Sequence, residues 1–382
     1  MKSSLNFFAR IVCVLALMFF QNMLCTAANP DFADISKPDF FPILPWDPYH
    51  GWKKLDSAHN DENGLKSIAE CNFNMSGFVL PRDLKECRKY DLGAIMFPSD
   101  PACTNVNYIY EWRHLTDAQI EWRVKDIIRA SKGKPSVEGY FITDEPGVND
   151  FPALAKAVAA VKKYAPGKMA YINLFPDYAT LGAPNLSQLG TSSYTDYLER
   201  FVDEVHPQFI SYDNYQVEFS MDMKDRARAS SYYHNLLAVR AVALEHHLPY
   251  LNIVSANQVR PETTIPSPAN LLFQAYTTLA AGYRGVTWYT YYQGGYHYAP
   301  IDGSGKRTQI WAYLKEVNRQ VATLAPILSR CESTGVFFSA PAPADNLPLL
   351  PGELVQSVDP STPLMIGEFR HADGRRFVMV VN

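Results

Sequence analysis

The sequence predicts an α/β protein built on a (β/α)8 TIM barrel followed by a C-terminal β domain, and three observations carry that prediction. Eight short apolar runs of strand character recur along the 382 residues, and helical stretches separate them. Parallel strands need such crossovers, and eight is the number that closes this barrel. An open doubly wound sheet is the competing architecture. No G-x-G-x-x-G or G-x-x-x-x-G-K-[ST] follows the first strand, so the barrel is preferred.

The chain opens with "MKSSLNFFARIVCVLALMFFQNMLCTAA": Lys2 and Arg10, an apolar run from Ile11 to Phe20, then Thr26, Ala27 and Ala28. That layout predicts a cleaved secretory signal over residues 1–28, with the mature protein exported. The apolar run is about half of the roughly 20 residues a membrane span needs. Cys25 follows Met23-Leu24 rather than small residues, which argues against lipid modification there. Export permits disulfides. Cys71, Cys87, Cys103 and Cys331 remain in the mature chain without C-x-x-C spacing, so one bridged pair and buried thiols both stay open.

The barrel is expected over residues 29–328. Its strand runs are "FFPILPWD" (40–47), "CNFNMSGFVL" (71–80), "LGAIMFP" (92–98), "VEGYFITDEP" (137–146), "MAYINLFP" (169–176), "PQFISYDNY" (207–215), "PYLNIVSANQ" (249–258) and "GVTWYTYY" (285–292). Helical stretches between them include "TDAQIEWRVKDIIRASK", whose Ile120, Val124, Ile127 and Ile128 share one face, and "FPALAKAVAAVKKYAPG", which ends in Pro-Gly. A third runs from Ser230 to Leu248. Beyond "GKRTQIWAYLKEVNRQVATLAPIL" the pattern turns to β-hairpin material over residues 329–382, with an Asp-Gly turn in "HADGRR". The sequence stops within a strand-like run at Val380-Val381-Asn382, so this β domain is read as the start of a longer one.

Composition narrows the function. The net charge is −4 with no block of Lys or Arg, which argues against nucleic acid or an anionic membrane as partner. No His or Cys cluster has ligand spacing, no G-x-S-x-G turn occurs, and no metal or cofactor is expected. Aromatic residues reach 13%, including 23 tyrosines. Functional groups of such a barrel stand at the C-terminal strand ends. Those positions hold Trp46 and Asp47; Arg82; Ser99 and Asp100; Asp144 and Glu145; Asn173 and Asp177; Asp213 and Tyr215; Ser255, Asn257 and Gln258; Trp288, Tyr291 and Tyr292. A mouth of carboxylates, amides and aromatic rings suits a neutral carbohydrate, whose C–H faces pack on rings while its hydroxyls bond to acids and amides.

Hydrolysis of a glycosidic bond takes two carboxyl groups, one protonated and one ionised. Glu145 is the predicted general acid, because burial among aromatic residues beside Asp144 should raise its pKa. Asp213 is the predicted second carboxylate. Asp144, Trp46, Asn173, Tyr212, Tyr215, Asn257, Trp288 and Tyr291 are the predicted substrate-binding residues. If Glu145 and Asp213 flank a water, the reaction inverts, and their carboxyl groups should lie roughly 6.5–9.5 Å apart.

Asp144-Glu145-Pro146 resembles the Asn-Glu-Pro that ends the fourth strand of clan A (β/α)8 glycoside hydrolases, in which the Glu is the acid/base. The resemblance implies a barrel glycosidase with Glu145 in that role. It departs from the clan at the seventh strand, where a nucleophilic Glu is the pattern and Ser255, Asn257 and Gln258 stand instead, with Glu262 the nearest acid in sequence. A second resemblance, to chitinase-like enzymes, rests on Asp144-Glu145, Tyr212-Asp213 and Trp288, and implies hydrolysis assisted by a substrate N-acetyl group. In a regular strand adjacent residues face opposite ways, so Asp144 is expected to point away from Glu145. The strings "YINLFPDY" and "LLFQAYTTLAAGYRGVTWYTYY" look like those of poorly characterised exported barrel proteins. The missing seventh-strand Glu also motivates a rival reading, a carbohydrate-binding barrel without catalysis. A sugar-acid lyase would want basic residues in the mouth, where the sequence offers little beyond Arg82 and Arg260.

Overall fold

The structure, a computed structural model, describes residues 35, 37–46, 58–97, 111–220, 223–359 and 363–382. The signal reading, Cys103, Asp47, Ser99 and Asp100 fall outside them. Eight parallel strands alternate with eight helices among the described residues: β1 (Ile43–Pro45), α1 (Leu65–Glu70), β2 (Met75–Val79), α2 (Leu84–Lys89), β3 (Gly93–Met96), α3 (Asp117–Ser131), β4 (Val137–Asp144), α4 (Phe151–Tyr164), β5 (Met169–Asn173), α5 (Tyr194–Arg200), β6 (Ile210–Asp213), α6 (Arg226–Glu245), β7 (Tyr250–Ser255), α7 (Pro268–Ala280), β8 (Val286–Tyr289) and α8 (Gln309–Leu328).

Strands β2 to β5 pair in sequence order, and β6, β7, β8 and β1 form a second run. Two seams close the barrel. Leu174 N–H donates to Ser211 O at 2.8 Å between β5 and β6, and Asn74 N–H donates to Ile43 O at 3.1 Å beside β1 and β2. Alternation within each strand divides its residues. Leu44, Ile95, Phe141, Tyr171, Leu251 and Ile253 fill the barrel interior, while Ile43, Ile142, Ile172 and Val254 face the helices.

Local chemistry sets the helix starts. Thr116 and Gln119 form a reciprocal capping box at α3. Asp225 accepts from Ala227 N and Arg228 N, so α6 begins ahead of the expected Ser230. Ile120, Val124 and Ile127 are buried on one face of α3, as their spacing predicts. Cys71, Cys87 and Cys331 are free, buried thiols.

After α8, strands β9 (Cys331–Phe338), β10 (Met365–His371) and β11 (Arg376–Val381) form an antiparallel sheet in the order β11-β10-β9. Gly367 lies so close to Ala280 O of α7 that a Cβ there would stand 2.1 Å from it. No helix among the described residues is long and apolar enough to cross a membrane.

Glu368 of β10, 1% exposed, accepts the backbone N–H groups of Glu353, Leu354 and Val355 at 2.8–2.9 Å. Because hydrogen bonds to a charged acceptor are worth about 1.5–3 kcal/mol and orphaned donors add a penalty, Glu368→Ala should lower the unfolding free energy by about 3 kcal/mol. A denaturant midpoint that does not move would refute this.

Candidate functional site

Asn173, at the end of β5, organises the barrel mouth. Its Nδ2 donates to Asp213 Oδ1 at 2.9 Å and to Asp144 Oδ1 at 3.1 Å, so each amide proton serves one carboxylate. Ser211 Oγ donates to Asn173 Oδ1 at 3.2 Å, and the Tyr171 hydroxyl lies 3.1 Å from Ser211 Oγ. The amide is thereby fixed from below by the barrel interior.

Asp144 and Glu145 both join this cluster, contrary to the alternation expected of adjacent residues. The pairing of β4 with β5 shifts register between Phe141 and Thr143, which turns Asp144 inward opposite Asn173. Glu145 then adopts φ +47°, a left-handed conformation that costs a non-glycine residue on the order of 1 kcal/mol. Its N–H is held by Asn173 O at 2.8 Å. Behind it, Tyr197 OH donates to Pro146 O at 2.7 Å. The Trp112 indole donates to Ile142 O at 3.0 Å.

The carboxyl groups of Glu145 and Asp213 lie within hydrogen-bonding reach of each other, and a proton shared between two buried carboxyl groups so placed relieves their repulsion. Burial lifts the Glu145 carboxyl above its ordinary range, opposed by hydrogen bonding to Asp213. Asp213, 3% exposed, is lifted well above the usual range by burial, then by the negative charges of Glu145 and Asp144, against the bond from Asn173. Both shifts favour a proton held between the two carboxyl groups, with Asp213 the more deeply buried of them. The water-wide separation expected of an inverting pair is not found, since the two groups are in direct contact.

The predicted binding residues divide between the mouth and the packed layers. Tyr215 stacks on Tyr289 with ring centroids 5.5 Å apart, and burial followed by the charge of Asp213 raises its hydroxyl pKa. Asn257 is 1% exposed and donates to Thr290 Oγ1 at 3.3 Å. Tyr212 does not line the site: Asp213 faces inward, so its neighbour faces outward, where the Tyr283 hydroxyl meets it at 3.1 Å. Trp288 is likewise turned outward and donates to Asn318 Oδ1 of α8 at 2.9 Å. The Tyr291 hydroxyl is held by Trp311 at 2.9 Å and Ser67 at 2.7 Å, away from the mouth. Trp46 faces inward but is 4% exposed among Phe78, Phe141 and Tyr171, a floor beneath the site rather than a platform in it.

Residues that the strand-end reading passes over complete the mouth. Tyr178 lies on the loop after β5; its ring is exposed while its hydroxyl accepts from Tyr215 N at 3.3 Å, and burial and the Asp213 charge raise its pKa. The Tyr289 hydroxyl lies 2.7 Å from that of Tyr296. Glu218, in the turn after β6, has its pKa lifted to about 7 by burial. Inward alternation from Asp213 and Ser255 would have selected Tyr289 over Trp288, whereas nothing in the sequence marks Tyr178 or Glu218.

A cavity of about 270 Å³ adjoins Asp144 and Glu145, with Arg113, His114 and Asp150 on its walls. Arg113 and His114 lie before α3, away from the strand ends, and Asp150 lies between β4 and α4. A larger cavity, about 530 Å³, lies between α6, α7 and the C-terminal sheet, but no acidic or basic side chain lines it. Among the described residues no group of three His, Cys, Asp or Glu could hold a metal ion.

No family model matches the chain, and no curated protein does. Solved structures do. A GH5_18 glycoside hydrolase from Streptomyces cattleya, in complex with GlcNAc, superposes with TM-score 0.53 at 14% identity over 74% of this chain and 81% of that one. A GH5_18 from Bifidobacterium longum subsp. infantis gives TM-score 0.52 at 11% identity over 73% and 79%. The likeness at these identities is one of fold: the chain has the barrel of these glycoside hydrolases.

The raised pKa values fix a sign for stability. A carboxyl whose folded pKa exceeds its unfolded value of about 4 favours folding at low pH and loses that contribution as pH rises through the folded value. Asp213→Asn should therefore stabilise the protein at pH 8 and not at pH 4, by about 1.4 kcal/mol for each unit of the lost shift. Equal stability differences at the two pH values would refute the shared-proton assignment.

Proposed function

We propose that the chain is a glycoside hydrolase acting on O-glycosidic bonds of an oligo- or polysaccharide, with Glu145 as general acid. The observation that carries this is the buried Glu145–Asp213 carboxyl pair at the barrel mouth, in which burial raises both carboxyl groups above their ordinary range and so favours a retained proton. Glu145 is half-buried at the rim, so a leaving oxygen can reach it, whereas Asp213 lies beneath. Proton transfer from Glu145 accompanies cleavage of the C–O bond, and the negative charges of Asp144 and the depleted pair stabilise the oxocarbenium-like transition state. Water completes the hydrolysis and returns a proton to the pair. Tyr178, Tyr215 and Tyr289 offer ring faces to the sugar, with Asn173 and Asn257 positioned for its hydroxyls.

A specific observation favours substrate assistance as a second reading. The end of β7 carries Ser255 and Asn257 in place of a carboxylate, and Asp213 is in contact with Glu145 instead of facing it across a bond. A neighbouring 2-acetamido group would supply the missing nucleophile, and the GlcNAc bound to the Streptomyces GH5_18 makes such sugars the first to try. We further propose that residues 1–28 direct export and that the sheet from β9 onward begins an accessory domain distinct from a barrel spanning 29–328.

Hydrolysis of a panel of aryl glycosides and oligosaccharides, including 2-acetamido sugars and uronides, tests the proposal. Glu145→Gln should reduce kcat by about 10²- to 10⁴-fold. Tyr215→Ala should mainly raise KM. Turnover confined to 2-acetamido substrates would select substrate assistance. Absence of turnover across the panel, with saccharide binding that survives Glu145→Gln, would replace the enzyme by a carbohydrate-binding barrel.

A further inference from the structure

Glu218 lies in the short turn Gln216–Glu218 after β6 and is 3% exposed. Its Oε2 accepts Val259 N–H at 2.8 Å, with Thr263 Oγ1 at 3.5 Å, and its Oε1 meets the hydroxyl of Ser255. Ser255 ends β7 and faces the barrel interior. The same Ser255 Oγ lies 3.2 Å from Asn257 Oδ1 and 3.1 Å from Asn257 O. Asn257 in turn donates to Thr290 on the loop after β8, so one hydrogen-bonded chain crosses the loops after β6, β7 and β8.

Proton counting makes this chain directional. A serine hydroxyl carries one proton and can serve Glu218 or Asn257, not both. An ionised Glu218 is the stronger acceptor and takes it. A protonated Glu218 donates to Ser255 instead, which frees the hydroxyl proton for Asn257.

We propose that Glu218 is a positioning residue that sets the orientation of the Asn257 amide at the barrel mouth through the single hydroxyl proton of Ser255. Its bearing on catalysis rests on the reading of Asn257 as a sugar ligand. Burial brings the Glu218 carboxyl to about 7, against hydrogen bonds from Ser255, Val259 and Thr263, so the exchange occurs at neutral pH. All three groups are uncharged. Arg228 of α6, the cation bonded to this turn, is engaged by Gln216 Oε1 at 3.0 Å.

The side-chain amide signals of Asn257, followed by NMR in ¹⁵N-labelled full-length protein between about pH 5 and about pH 9, test this directly. The wild type should show a titration with a neutral midpoint. Glu218→Gln, whose amide can accept from Val259 and donate to Ser255 as the protonated acid does, should hold the signals at their acid-side position. Ser255→Ala removes the relay and should abolish the titration even if the Glu218 variant fails to fold. Signals that ignore pH in the wild type, or a titration that persists in Ser255→Ala, would overturn the proposal. These readings need no turnover, so they stand apart from the glycosidase assignment. Where turnover is measured, KM should follow the same midpoint in the wild type and lose that dependence in Glu218→Gln; a dependence retained there would also overturn it.

Discussion

The close approach of the buried Glu145 and Asp213 carboxyl groups is the constraint on which the rest of this site depends. Two buried carboxylates in contact cannot both be ionised without a large cost, so their contact fixes a proton in the mouth. The barrel bears that cost through its packing. Asn173 divides its two amide protons between Asp144 and Asp213, Ser211 and Tyr171 hold Asn173, and the β4 register shift with the left-handed Glu145 brings the adjacent acids together. The left-handed Glu145 is locally unfavourable, and the surrounding hydrogen bonds hold it where burial raises both carboxyl groups, as the proposed acid role requires.

The surrounding architecture explains why the pair is stable in place. Asp213 and Asn173 stand on β6 and β5, which the Leu174–Ser211 seam joins. The Phe78, Phe141, Tyr171 and Trp46 rings fill the layer below and exclude water from the floor. Above, the mouth is lined by tyrosines on separate loops, which gives a ligand face contacts that share no single backbone segment. A neutral polyol is the ligand class for which such a mixture of rings, amides and acids is best matched.

Much of this was legible in the sequence, and the exceptions share physical causes. All eight strands occur in the expected order, because buried parallel strands appear as apolar runs whatever their side-chain details. Glu145, Asp144, Asn173, Asp213 and Tyr215 come together at the mouth because all five stand at or just beyond the C-terminal ends of neighbouring strands. Tyr212 and Trp288 follow period-two alternation: with Asp213 and Ser255 facing inward, Tyr212 faces outward to Tyr283 and Trp288 faces α8. Asp144 is the opposite case, where alternation is broken by a bulge that no sequence pattern announces. Glu218 was invisible because its importance arises from a contact with Ser255 across 37 residues of chain.

Whether Glu145 and Asp213 share one proton is read by ¹³C NMR titration of the labelled Asp and Glu carboxyl carbons. These two resonances should titrate together in coupled steps, with one proton retained above the ordinary carboxylate range. Two independent titrations near about pH 4 would contradict it, because both carboxyl groups would then be ionised at neutral pH and no acid would remain at the mouth.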